Sequence, residues 1–455
     1  MCTKLRYWIL VLIPAVLPAQ SKTDLQQILE RMDRLEQENR DLAAEVRALH
    51  DELVASHPAP TPASPAPQEA PGAPPPPLEE QVAVQERRVE ELAQTKVQTG
   101  QRLPVTLTGM VLFNGFLNGR TNGGQQDPTI ASPVNNPSGG GASLSQSIVG
   151  LEFQGPRILG GGQVSGDLNM DLWGGSSSSL NHLVRMRVAA IRVDWKNQSL
   201  VVGQDKPIIS PRDPTSLAQV AFSPLAYAGN PWLWQPQAHV EQRFEWGDNM
   251  GLRAQAGVYM TSEPIASAGS EYASTLSTTR PSLEGRFLFW RNLGRGARIE
   301  IAPGFHTGET HVAGVSVPSH LFSVDWMIQP VGKLQWTGMF FAGENAAGIG
   351  ALRQGFTIFS DGSVHAVGTA GGWTQLSYFV TNRLTFNIYG GQESNHASDL
   401  LSGGITRNLA YAGNLTYRLG PNVLLGWEAS QVRTNYLGFV TRLVNHYDLA
   451  LAYLF

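Results

Sequence analysis

Four cations lie close along the chain: Arg185, Arg187, Lys206 and Arg212. Arg185 and Arg187 stand two apart, and on a β-strand such residues project from one face. A planar guanidinium grips a carboxylate or phosphate through paired N–H groups. A ladder of this kind binds and steers anions without making or breaking bonds. Asp213 follows Arg212 directly, and Arg243 and Arg253 recur on strand-like segments whose polar face also carries Asp167 or Glu241. Rings of charge tune ion choice in pores. The same residues also suit a structural use, each arginine paired with a facing carboxylate, and spacing alone leaves both open.

Bond-making chemistry has little support. The chain has no G-x-S-x-G elbow, no H-E-x-x-H helix and no P-loop. His239, His306 and His446 are scattered, and the one cysteine, Cys2, sits in the leader. No catalytic residue, no metal ligand set and no cofactor is expected.

The elements that must carry these charges alternate. In the last ten residues Tyr447, Leu449, Leu451, Tyr453 and Phe455 take one parity, and His446, Asp448, Ala450 and Ala452 the other. Val164, Leu168, Met170 and Leu172 oppose Ser165, Asp167, Asn169 and Asp171 in the same way. Long strands with one apolar and one charged face, in a chain ending on an aromatic residue, suit a barrel whose outside meets lipid and whose inside meets water. Charged residues make up 15% of the chain, against about 25% in soluble domains. No apolar run reaches the roughly 18 residues of a membrane helix.

Alternation places sixteen strands, at about 104–117, 146–155, 162–173, 182–195, 198–205, 236–246, 250–261, 280–290, 296–308, 318–329, 332–344, 372–381, 383–393, 406–418, 421–433 and 444–455. Short turns follow even strands. Longer loops, 309–317 and the proline-rich 206–235 among them, follow odd strands. In outer-membrane barrels the short turns are periplasmic and an even count returns both ends there. Tyr389, Tyr411, Tyr417, Trp427, Tyr447 and Phe455 are read as interfacial girdle residues.

The expected organisation is a signal peptide at 1–20, a coiled coil at 21–56, a Pro/Ala-rich linker at 57–77, a second short helix at 78–100 and the β-barrel at 101–455. Lys4 and Arg6 precede an apolar stretch too short to span a bilayer. Leu25, Ile28, Met32, Leu35, Asn39, Leu42, Val46, Leu49 and Leu53 keep a three-four spacing, the seam of a coiled coil, so a homo-oligomer is expected. The linker is a polyproline spacer on the order of 65 Å. Residues 20–100 hold 8 basic and 15 acidic groups, a balance of −7, and residues 101–455 hold 23 and 22, a balance of +1. The acidity belongs to the arm, and nothing suggests a nucleic-acid partner.

The segment Arg185-Met186-Arg187-Val188-Ala189-Ala190, then Val202-Gly203-Gln204-Asp205, Ser210-Pro211 and Asp213-Pro214-Thr215-Ser216-Leu217-Ala218 resembles the fourth and fifth strands and third loop of trimeric outer-membrane porins of the DcaP-like type. An N-terminal coiled coil before a sixteen-stranded barrel ending in Phe455 is similar too, though the long proline spacer departs from that pattern. The resemblance implies an all-β transmembrane barrel of about sixteen antiparallel strands with a periplasmic α-helical coiled coil. It implies a trimer in the outer membrane, a third loop narrowing the lumen, and passive diffusion of small, often anionic, dicarboxylate-like solutes. Expected partners are outer-membrane lipid and the barrel-assembly machinery, which would read the strand ending at Phe455. The alternative is a structural anchor whose arm tethers the membrane to peptidoglycan.

Overall fold

The computed structural model describes residues 105–175, 183–260, 281–294, 296–312 and 314–455. The leader, heptad arm, linker and second helix lie outside the described residues. Among those described, sixteen strands build one closed wall: β1 Val105–Asn118, β2 Ile148–Ile158, β3 Gly162–Gly174, β4 Leu183–Asp194, β5 Gln198–Asp205, β6 Gln235–Glu245, β7 Met250–Tyr259, β8 Ser282–Gly294, β9 Ala297–Val312, β10 Val315–Val331, β11 Leu334–Glu344, β12 Gly368–Phe379, β13 Leu384–Asn395, β14 Ile405–Arg418, β15 Val423–Tyr436 and β16 Arg442–Leu454.

Each strand pairs antiparallel with its sequence neighbours, and β1 closes the ring against β16, with Met110 opposite Leu454 and Asn118 opposite His446. Gly109 and Phe455 exchange two backbone hydrogen bonds, at 3.0 and 3.1 Å, which carry the closure to the last residue. A short extra strand, Gly139–Ser143, pairs with the upper part of β1. Closure leaves no open edge in the wall, which a strand array in lipid requires.

Alternation decides which face looks out. Leu449 is 54% exposed while its neighbour Asp448 is 3%. Leu151 on β2, Val240 on β6, Phe289 on β8, Phe305 on β9 and Ile388 on β13 are exposed in the same way. Apolar surface this extensive around a whole wall fits hydrocarbon.

Two expectations fail. Tyr389 is not a girdle residue: it points inward, is 3% exposed and bonds Glu428. The expected loop 309–317 is a tight turn, because β9 runs to Val312 and pairs it with Val315 at the start of β10. The inward side chains Val312 and Val317 are covered by Phe356, from a small hairpin of Phe356–Ile358 and Val364–Ala366. That cover lets the ladder continue beyond the lipid-facing band.

The interior is not uniformly wet. Three long connections, L1 (119–147), L3 (206–234) and L6 (345–367), send Ala131, Ile209, Leu225 and Ile349 into one apolar cluster with Met339, Phe341 and Trp373 of the wall. The inward residues of β9 to β16 are mostly buried as a result, whereas Glu152, Asp167, Arg192 and Arg253 on β2, β3, β4 and β7 keep part of their surface. On the same side Asp171, Ser199, Val201, Gln237, His239 and Glu241 are buried, so the exposed inward surface is confined to the neighbourhood of those four charges.

Candidate functional site

L3 leaves β5 and follows the inner wall strand by strand. Ile208 N donates to Tyr259 Oη on β7 at 2.9 Å, and Ile209 N to Glu284 Oε2 on β8 at 3.4 Å. Arg212 donates to Asp325 Oδ1 on β10 at 3.0 Å and to Glu300 on β9. Thr215 N reaches Gln375 Oε1 on β12 at 2.6 Å, and Ser216 Oγ reaches Glu428 Oε2 on β15 at 2.6 Å. Asn114 Nδ2 on β1 donates to Leu217 O at 2.9 Å. Arg185 Nη2 on β4 then donates to Ala221 O at 2.6 Å.

Local sequence explains this course. Pro207, Pro211, Pro214, Pro224 and Pro231 lack N–H groups and cannot extend a ladder. The remaining backbone groups, once inside, must find partners on the wall. The returning limb is tightly folded: Leu225, Tyr227 and Gly229 have φ of 62°, 65° and 96°. A side chain at Gly229 would collide with Gly372 O on β12, so only glycine lets the limb lie there.

The charges fall into distinct sets. Arg185 is bound twice to Asp171, Nε to Oδ1 at 3.1 Å and Nη2 to Oδ2 at 2.6 Å. Arg187 is the extra residue of a β-bulge, since Asn169 pairs with Val188 and Met170 with Met186. Its Nε is 3.8 Å from Asp171 Oδ2, and its guanidinium carbon lies 4.6 Å from the Trp234 ring centroid. Its Nη1 is buried with no hydrogen-bond partner. Arg187 therefore shares an acid already held by Arg185 and keeps surplus positive charge.

Lys206 opens L3, contacting Asp213 and lying 3.4 Å from Ser223 Oγ. Burial, with the like charge of Arg187, pulls its ammonium down to about 7, and Asp205 works the other way. Its contact with Asp213 also favours the charged form. Trp173, Phe222, Trp232 and Trp234 form an edge-to-face chain of rings next to these cations, and Arg185 also lies 5.5 Å from the Phe222 and Trp234 centroids.

The structure thus brings together Arg185, Arg187, Lys206 and Asp213, and separates the rest. Arg212 does not extend the ladder; it crosses to Glu300 and Asp325 on β9 and β10. Arg243 bonds Trp195 O at 2.9 Å and Gln198 O at 3.1 Å, so it belongs to the short-turn rim. Glu241 pairs with Arg243 at 2.8 Å and lies 3.4 Å from Arg253, so those three form their own group. Asp167 accepts from Asn169 at 3.1 Å and pairs with no arginine in the described residues.

Among the inward charges that escape a reading of the sequence are Arg192 and Asp325. The bulge at Arg187 reverses the parity of β4, so Arg192, opposite Ser165, also faces the lumen. No local residue signals a bulge. Asp325, which holds both Arg212 and Arg286, is legible only as a lone carboxylate between Val324 and Trp326.

One cluster has the order of a hydrolase relay. His306 Nε2 is 3.1 Å from Ser319 Oγ, and His306 Nδ1 is 3.0 Å from Glu284 Oε1. Ser319 Oγ, however, donates to Asn345 O at 2.8 Å, and the three side chains are at most 5% exposed. With its hydroxyl engaged and no access for a substrate, the relay acts as a clamp joining L3, L6 and the wall.

No protein-family model matches the chain, and no curated protein sequence matches it. Solved structures do. The outer membrane channel DcaP of Acinetobacter baumannii superposes with a TM-score of 0.62 at 14% identity, covering 77% of this chain and 97% of that one. An anion-selective porin from Comamonas acidovorans gives 0.50 at 14% identity, covering 78% and 100%. Pseudomonas putida OprB gives 0.50 at 9% identity, covering 77% and 94%. Likeness at such identities carries the architecture: residues 105–455 have the fold of a sixteen-stranded outer-membrane porin.

Proposed function

We propose that the chain is a passive channel of a bacterial outer membrane for small hydrophilic solutes, with a preference for anions of dicarboxylate type. The observation that carries this reading is L3 folded against the inner wall with Arg187 held beside Lys206 and lacking a carboxylate of its own. In a narrow, partly dry passage such a charge raises the local concentration of anions. The long-loop end faces outward and the N-terminal arm reaches the periplasm, in keeping with the turn asymmetry of such barrels. The heptad seam from Leu25 to Leu53 supports assembly as a homo-oligomer, and the resemblance to trimeric porins favours three chains. The Comamonas neighbour's description as anion-selective agrees with the charge reading but is a statement about that protein.

Liposome swelling tests this directly. Vesicles carrying the purified protein should swell faster in succinate than in a diamine of similar size. Equal rates would remove the anion preference, and no swelling would remove the channel. The anchor reading draws on the apolar cluster that fills one side of the barrel, and it predicts no swelling in any solute.

A further inference from the structure

We propose that Asp127 is a proton-dependent latch that positions L3: its neutral carboxyl docks L1 onto the loop, and its ionised form releases it. The inference rests on the channel reading, because a hold on L3 affects transport only if L3 shapes the passage.

Asp127 sits in L1 and is 4% exposed. Its Oδ1 accepts from Gln219 Nε2 of L3 at 2.7 Å, and its Oδ2 has no hydrogen-bond partner. The charges acting on it belong to Glu428 and Asp448, two further buried carboxyls. Neither these two nor Asp127 has an ion pair with any described cation. Glu428 takes three donors, Ser216, Asn414 and Tyr389. Asp448 takes Asn114, and Asp127 only Gln219.

Within a dry group of carboxyls, a proton settles where ionisation is least supported. Glu428 is well supplied with donors for its charge, and Asp127 is not. Burial, reinforced by Glu428 and Asp448, pushes Asp127 up to about 8. An ionised Asp127 would be a poorly partnered charge in a dry site, and water is the better place for it.

The other groups facing this site do not do the same work. His446 on β16 bonds Asn118 at 2.7 Å, and Arg442 on β16 bonds Asn135 of L1 at 3.2 Å. Tyr389 on β13 reaches Glu428, not L1. The groups offered by β1 and β14 are amides, and the L3 residues 216–220 are uncharged. L1's other ties to L3 and the wall include Gln146, which donates to Ala218 O and accepts from the Val220 and Ala221 amides, Asn408 to Thr129 O and Ala131 N to Thr434, all neutral hydrogen bonds. Asp127 is therefore the ionisable group that L1 itself contributes to its contact with L3. Its folded value lies above the ordinary 3.8, so the docked loop has its full support at low pH, loses it progressively as pH rises from about 3.8, and has lost all of it by about 8.

The test uses the purified full-length protein between pH 5 and 9.5. Channel conductance is followed alongside hydrogen exchange of residues 119–138, corrected for the intrinsic pH dependence of exchange. Protection of L1 should fall progressively from pH 5 to about 8 and level off above it, and conductance should change over the same interval. Asp127→Asn should remain docked at every pH, and His446→Gln should leave the transition in place. Should Asp127→Asn fail to insert, Glu428→Gln provides the second reading: with one neighbouring charge gone, the loss of L1 protection with rising pH should become smaller. Constant protection in the unmodified protein would overturn the proposal, as would a transition that persists in Asp127→Asn or moves with His446→Gln. A pH-dependent L1 in a protein that passes no current would uphold the latch and overturn the channel reading.

Discussion

Asp171 and Arg185 face each other across the β3–β4 ladder and are joined by two hydrogen bonds, at 3.1 and 2.6 Å. The Asp171 side chain is fully buried and that of Arg185 keeps 26% of its surface. Removing Arg185 takes both close bonds from a buried carboxylate and leaves it only the 3.8 Å contact with Arg187. Arg185→Gln should destabilise the barrel by about 3 kcal/mol. The double variant with Asp171→Asn should recover part of the loss, since it also strips Arg187 of the acid it shares. Thermal unfolding in detergent checks both; an additive double variant would show that the pair does not act as a unit.

Selectivity should follow Arg187 more than Arg185. Arg185 is neutralised by Asp171, whereas Arg187 shares that acid at 3.8 Å. Arg187→Gln should move the reversal potential under a salt gradient toward cations. The Arg185→Gln, Asp171→Asn double variant, which removes one charge of each sign, should move it much less.

L3 depends on an intimate backbone contact. Gly229 has φ of 96° and lies against Gly372 on β12. Gly229→Val should lift the returning limb from the wall, since β-branched residues rarely adopt that conformation. Unit conductance should change while the melting temperature of the wall changes little. Unchanged conductance would show that the returning limb does not border the passage.

Much of the wall is legible in the sequence because a period of two leaves little choice. His446 to Phe455 alternates so regularly that inward and outward residues follow from that segment alone, and the structure agrees at Leu449 and Asp448. Short turns after even strands are equally clear. What alternation cannot convey is a slip in its own register. The bulge at Arg187 turns Arg192 inward. Cover from another loop is invisible for the same reason: Phe356 extends β9 and β10 past their expected ends. The site is legible as a set of charges but not as pairs. Arg212 reads as a neighbour of Arg185 only if L3 is a local loop, whereas its first limb runs along β7 to β10, on to β15 and back to β4.

The inward and outward assignment can be challenged at a single position. Leu449 faces out near the middle of β16. Leu449→Arg should cost about 2–4 kcal/mol and lower the yield of folded barrel in lipid vesicles, whereas Leu449→Phe should be tolerated. Equal yields would place Leu449 away from hydrocarbon.

Single-channel recording in planar bilayers tests the central claim most directly. The purified protein should give discrete conductance steps, and its reversal potential in a potassium chloride gradient should lie on the chloride side. A protein that inserts but stays silent, or one whose steps favour potassium, would contradict the account.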